Sequence, residues 1–159
     1  MKEPSIDVPW SIVSSSTIGS YGLRTSFNSI SFAKGPFSVY SYFNVRSSQG
    51  FRANSELNAN HSYSTLVYSP NNKLRISLEH TFLSYLAKQS GGLTDTQFNN
   101  DPFQSNRERN FFKVNWNMIN SRFKYEVSSA TLITAKVTFL KAARQSIGFR
   151  GVPGLLNTN

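Results

Sequence analysis

The sequence predicts an all-β chain, an antiparallel meander of about seven long strands. Three observations predict it. Polar and apolar residues alternate with period 2, most strictly where Leu74, Ile76, Leu78 and Phe82 face one way and Arg75, Ser77, Glu79 and Thr81 the other. Apolar residues are only 38% of the chain while aromatics are 14%, a balance that suits half-buried strands better than a packed core. The connections alternate in length, with turns of three or four residues near 34, 70 and 129 and longer loops near 52, 100 and 150.

Taken in order, residues 1–10 read as irregular, because Pro4 and Pro9 oppose a helix or a central strand. Ser11–Gly19 reads as a strand and Ser20-Tyr21-Gly22 as a tight bend. Leu23–Phe32 continues extended, with Leu23, Thr25 and Phe27 on one face and Arg24, Ser26 and Asn28 on the other. Ile30 and Phe32 then shift the apolar parity, which predicts a bulge. Residues 33–36 form a turn before a strand over Phe37–Ser47, where Phe37, Val39, Phe43 and Val45 share one face. Tyr40 and Tyr42 lie with Ser38, Asn44 and Arg46 on the other face, as candidates for an aromatic interface girdle.

A loop over Ser48–Leu57 leads to a strand at Asn58–Tyr68, a turn at 69–72 and the strand Lys73–Ala87, whose apolar face His80 interrupts. Val114–Val127 is the next strand, with Ile119, Phe123, Tyr125 and Val127 opposite Asn120, Arg122, Lys124 and Glu126. Ser128–Ala130 turns the chain into Thr131–Ala143, where Ile133, Ala135, Val137 and Phe139 share a face. Residues 144–159 read as loop.

Short turns at one end of a meander and long loops at the other are the asymmetry of outer-membrane barrels. Strands of about 9 to 13 residues also match the length needed to cross a bilayer at a tilt. These two features predict an open segment of a transmembrane β-barrel, since seven strands alone leave two edges unpaired, which lipid does not tolerate. No apolar run reaches the length of a membrane helix, and residues 1–10 lack the apolar core of an export signal.

Gly91–Asn110, GGLTDTQFNNDPFQSNRERN, is dominated by turn-formers and polar residues without period 2 or 3.6, and reads as a long exposed loop. Its residues Gly91, Gly92, Leu93, Thr94, Asp95, Gln97, Phe98, Asp101, Pro102, Gln104, Ser105, Arg107, Arg109 and Asn110 resemble an outer loop of the TonB-dependent outer-membrane receptors, the ferric-citrate type in particular. Tyr42–Ser55, YFNVRSSQGFRANS, is similar to the second outer loop of that family and its approach strand. Thr17–Ser31, TIGSYGLRTSFNSIS, is similar to the start of its barrel. The three stretches occur in the family's order and together span roughly Ser11 to Gly151.

The resemblance implies that residues 11–159 are part of a receptor barrel of about 22 strands with a plugged lumen, taken from its first third and without the plug. It implies a transporter in the bacterial outer membrane, not an enzyme, for a ferric siderophore or ferric citrate, with long outer loops contributing to capture. The implied partners are a ferric chelate, outer-membrane lipid and, only through the plug, an energy-transducing inner-membrane protein. No cofactor is expected.

Arg107 and Arg109 are the candidate ligand contacts, because guanidinium groups pair bidentately with carboxylates of an anionic chelate. The plainer reading makes them solvated loop charges or partners of Glu108 and Asp101. Asp95 and Asp101 with Asn99 and Asn100 lack the spacing of a twelve-residue calcium loop. His61 and His80 fall on different strands with no cysteine or paired carboxylate nearby, so no metal site is expected. No nucleophile elbow, phosphate-binding loop or zinc motif occurs.

Seventeen basic against eight acidic residues give a net charge of +9, which would suit nucleic acid or an anionic membrane. The basic residues form no run, and in Phe123-Lys124-Tyr125 rings and charges point to opposite faces, which disfavours a nucleic-acid platform. The absence of cysteine removes disulfide and thiol chemistry. The alternative to the receptor is a soluble, basic all-β module that binds a polyanion.

Overall fold

The structure is a computed structural model that describes residues 10–148. Seven strands form one sheet in chain order, each antiparallel to the next: β1 (Trp10–Ile18), β2 (Arg24–Lys34), β3 (Phe37–Ser48), β4 (Leu57–Tyr68), β5 (Leu74–Lys88), β6 (Phe111–Ser128) and β7 (Thr131–Ile147). The sheet is open, so β1 and β7 each have a neighbour on one side only among the described residues. One short helix, α1 (Asp95–Asn100), lies in the connection from β5 to β6. The all-β meander of seven strands read from the sequence is therefore the observed fold.

Registers are continuous across the sheet, so each side chain can be assigned to one of two faces by pairing. One face, here the outer face, carries Phe37, Val39, Leu66, Leu78, Ile119 and Val137. The opposite, inner face carries Arg75, Glu79, Arg122, Lys124 and Lys136 at the same height. These residues lie in the half of the sheet nearest the short turns. In the half nearest the loops the polarity reverses in part, with Phe43, Val45, Phe82 and Leu86 still outward. There the inner face holds Phe27, Tyr42, Tyr63, Tyr85 and Trp116, and the outer face holds Ser14, Asn28, Asn60, Ser62, Asn115 and Asn117.

This reversal corrects the expected bulge near Ile30. Strand β2 pairs with both neighbours without a register shift. Phe27 is inward because it lies in the loop half, and Ile30 and Phe32 are outward because they lie in the turn half. Among the described residues the only register shift falls between Glu126 and Ser128, beside the β6–β7 turn.

Other boundaries also differ. Trp10 already belongs to β1. The β2–β3 turn is only Gly35-Pro36, with Gly35 at φ +58°, fitting a two-residue hairpin that takes glycine first. Strand β6 begins at Phe111, and β7 runs on through Arg144 to Ile147, where a loop was expected. Backbone pairing of Phe112 with Ser146 and of Val114 with Arg144 carries the ladder past the point where alternation fades. The expected irregular segment at 1–9 and loop at 149–159 lie outside the described residues.

A single sheet cannot enclose a core. Among the described residues only Tyr42, Val67 and Ser77 are buried, each with 7% of its surface exposed, and no side chain is fully enclosed. Tyr42 sits on the inner face, not in a girdle. It packs against Phe27 (ring centroids 5.4 Å apart), Tyr63 (5.9 Å) and His61 (5.3 Å, edge-on), and its hydroxyl lies 3.3 Å from His61 Nδ1. Aromatics at the turn-side border of the outer face are Phe37 and Tyr68, 4.8 Å apart, with Phe123 and Tyr125 two strands further on. His80, the polar interruption on β5, faces outward with its Nε2 2.8 Å from Asn117 Oδ1 on β6.

Candidate functional site: a cap of three joined loops

The long connections meet at one end of the sheet. Aromatic rings link them: Tyr21, in the β1–β2 bend, meets Phe51 edge-on at 5.5 Å, and Phe51 meets Phe103 at 5.0 Å. Backbone bonds reinforce the contact, from Gln49 N to Tyr21 O at 2.9 Å and from Ala53 N to Phe103 O at 2.9 Å.

Arg52 fixes the second loop to the third. It donates from Nε and Nη2 to the carbonyl of Gln104 at 3.0 and 2.9 Å, and from Nη1 to the carbonyl of Gly91 at 2.8 Å. A guanidinium presents its donors in a fixed fork, so three bonds to main-chain oxygens lock the relative position of both loops. Asn54, at φ +53°, completes the clasp by donating from Nδ2 to the carbonyls of Gln89, Arg107 and Asn110. Gly50 and Gly91, at φ +80° and +76°, make the close approaches possible: a Cβ on the first would run into Ser55, and on the second into Asn106 and Arg107.

The expectation of a loop without regular structure over 91–110 is corrected. Thr94 accepts a bond from Gln97 N at 3.3 Å, and Gln97 Oε1 accepts one from Thr94 N at 3.0 Å, a reciprocal capping box that starts α1. Gln104 then folds back to donate to the carbonyls of Gln97 and Asp101 at 2.6 and 3.0 Å. Asp101 closes the next turn, its Oδ1 accepting from Phe103 N at 2.9 Å.

The two candidate arginines occupy different environments. Arg107 is half-buried, with Nη1 donating to Asn106 O at 3.0 Å and its carbonyl accepting from Asn54. Arg109 is exposed. Arg107 thus belongs to the framework of the cap, and Arg109 lies on its surface. Glu56 Oε2 and Asn106 Oδ1 are enclosed in the cap and accept no bond among the described residues.

His61 and His80 lie on opposite faces of the sheet, His61 inward and His80 outward. Among the described residues no group of three or more His, Asp or Glu side chains converges. Arg52 and Asn54 were not singled out as site residues from the sequence. Their partners are main-chain carbonyls 35 to 56 residues away, which leave no side-chain pattern.

A scan against protein-family models finds no match to the chain, and a search of curated proteins finds no significant relative. The functional reading therefore rests on the residues and their geometry.

Proposed function

We propose that the chain forms part of the barrel of an outer-membrane receptor of the TonB-dependent type that takes up a ferric siderophore or ferric citrate. The observation that carries this reading is the partial reversal of polarity between the two halves of the sheet. In the turn half an apolar outer face backs onto a charged inner face, as a wall between hydrocarbon and an aqueous lumen requires. In the loop half the outer face is rich in serine and asparagine, as it would be above the bilayer. A soluble sheet that buried one face would keep that face apolar along its whole length.

The capture site in this reading is the cap. Its framework of Arg52, Asn54 and Arg107 holds the third loop in place and presents the exposed Arg109 to an anionic chelate. Coupling to an inner-membrane partner would need a plug, and further strands must complete the barrel.

The test is cell fractionation with an antibody against the Gly91–Asn110 loop. A heat-modifiable band in the outer membrane is expected. A soluble, monomeric product would overturn the receptor and favour the basic polyanion-binding module.

A further inference from the structure

We infer that the inner face beside the short turns holds a binding site for a small multivalent oxyanion, built by Lys73, Arg75, Arg122, Lys124 and Lys136. The site lies at the opposite end of the sheet from the cap and is independent of the receptor reading.

The first observation is like-charge pairing. Arg75 on β5 stands directly opposite Lys124 on β6, and Arg122 on β6 stands directly opposite Lys136 on β7. Arg122 and Lys124 are neighbours on one face of β6, so the four cations occupy two successive rungs of the inner face, roughly 7 Å apart. Like charges directly opposite each other destabilise a sheet. Two adjacent pairs concentrate that cost in one block, and a counter-ion relieves it. The second observation is a recess of about 270 Å³ at the turn end of this block. It is lined by Asn71, Asn72 and Lys73 of the β4–β5 turn together with Arg75, Lys124 and Glu126. Asn71 Oδ1 accepts from the amides of Lys73 and Leu74 at 2.9 and 3.0 Å, which fixes the turn and holds Lys73 beside the two strands. All five cations are exposed, so an ion in solution can reach them.

The block is also bounded. Glu126 stands one rung nearer the turns than Lys124, and Glu79 stands one rung nearer the loops than Arg122. On β4 the adjoining inward residues are Thr65 and Val67, and on β7 Lys136 is flanked by Thr134 and Thr138, none of them charged. Each carboxylate can neutralise one neighbour, and three of the five positive charges then remain in excess. A run of nucleic-acid phosphates would be carried past both carboxylates, whereas a compact ion fits between them. Guanidinium and ammonium groups donate to carboxylate or phosphate oxygens. An ion with two or three such groups bridges both rungs, and a monovalent one meets a single pair.

The test uses the whole protein that carries this chain, purified in non-ionic detergent from the cell fraction that holds it. Saturation-transfer NMR on the methylene protons of iron-free citrate, at low ionic strength, reads binding. Acetate should bind at least about tenfold more weakly than citrate. Lys124→Gln/Lys136→Gln should weaken citrate by about tenfold, the weight of two exposed ion pairs. Lys136→Gln alone should shift it in the same direction, should the double variant fail to fold. Glu79→Gln/Glu126→Gln should tighten citrate, a gain that a purely structural role for these charges would not produce. Lys113→Gln/Lys141→Gln, which removes the same charge from the outer face, should leave binding unchanged. No citrate binding by the parent protein, or equal loss in the inner-face and outer-face lysine pairs, would overturn the inference. So would a single-stranded oligonucleotide held at the same residues more tightly than citrate. Loss in Arg109→Gln with none in the inner-face pair would put citrate at the cap, against the inference and in favour of the receptor. A cytosolic protein that keeps the inner-face dependence would support the site and overturn the receptor.

Discussion

Arg52 and Gln104 are joined by two hydrogen bonds from one guanidinium to one carbonyl oxygen, at 3.0 and 2.9 Å, across 52 positions of the chain. The pair converts two separate loops into one body. Its partner is main-chain oxygen, so the bond depends on the arginine, while the Gln104 side chain serves separately to tie the third loop to Gln97 and Asp101.

Arg52→Ala should therefore free the third loop without unfolding the sheet. Charge-assisted bonds contribute roughly 1.5–3 kcal/mol each when well formed, and partial exposure lowers this. A net loss of about 2 kcal/mol makes opening of the loop roughly thirtyfold easier. Limited proteolysis between Gly91 and Asn110 should accelerate accordingly, while far-ultraviolet circular dichroism stays unchanged. An unaltered cleavage rate would show that the ring contacts alone hold the cap.

Glycine replacement should separate strain from collision. Gly35→Ala places a Cβ in open space at φ +58°, so it should cost about 1 kcal/mol of backbone strain. Gly50→Ala meets both strain and the Ser55 backbone, and should cost at least about twice as much. Denaturant midpoints of the two variants give the comparison. Equal losses would contradict the crowding at Gly50.

Neighbouring positions on β7 should respond oppositely to charge. Val137 is 68% exposed on the outer face, and Thr138 faces inward with its Oγ1 bonded to Asn120 at 2.7 Å. In a lipid-facing wall Val137→Arg should cost about 2–4 kcal/mol of insertion free energy, and Thr138→Arg well under half of that. Outer-membrane yield of the completed barrel carrying each substitution measures both. Similar yields would argue against hydrocarbon contact at Val137.

Tyr42 should matter for its ring more than for its hydroxyl. Tyr42→Phe gives up one long bond to His61, at 3.3 Å, and should cost under about 1 kcal/mol. Tyr42→Ala removes contacts to Phe27, Tyr40 and Tyr63 and should cost about 2–4 kcal/mol. Thermal or denaturant unfolding distinguishes them, and near-equal effects would mean that the hydroxyl bond is the dominant contact.

The strands were legible because alternation is a backbone property. Leu74, Ile76 and Leu78 announce a face whatever they touch. What alternation cannot show is that the apolar face changes sides along a strand. Phe27 and Ile30 have opposite parity, which suggests a bulge locally, and only the pairing of β2 with β1 and β3 shows two faces used at two heights. The start of α1 had a readable signal in Thr94 and Gln97, three residues apart, but six residues among asparagines and aspartates carry no amphipathic period. Of the cap, the arginines at 107 and 109 were visible as charges. Their division into framework and surface depends on Asn54 and Gly91, which reach them only through folding.

Each strand of the meander pairs only with its neighbours in sequence, and this sets the order of assembly. The connections at 19–23, Gly35-Pro36, 69–73 and 129–130 all close small loops, so the hairpins β1–β2, β2–β3, β4–β5 and β6–β7 have the least chain entropy to overcome. The loop-side connections must then zip the hairpins together. The clasp of Arg52 and Asn54 needs β3 to β6 already side by side, so it is among the last contacts to form. Its appearance would serve as a kinetic clock for completion of the wall.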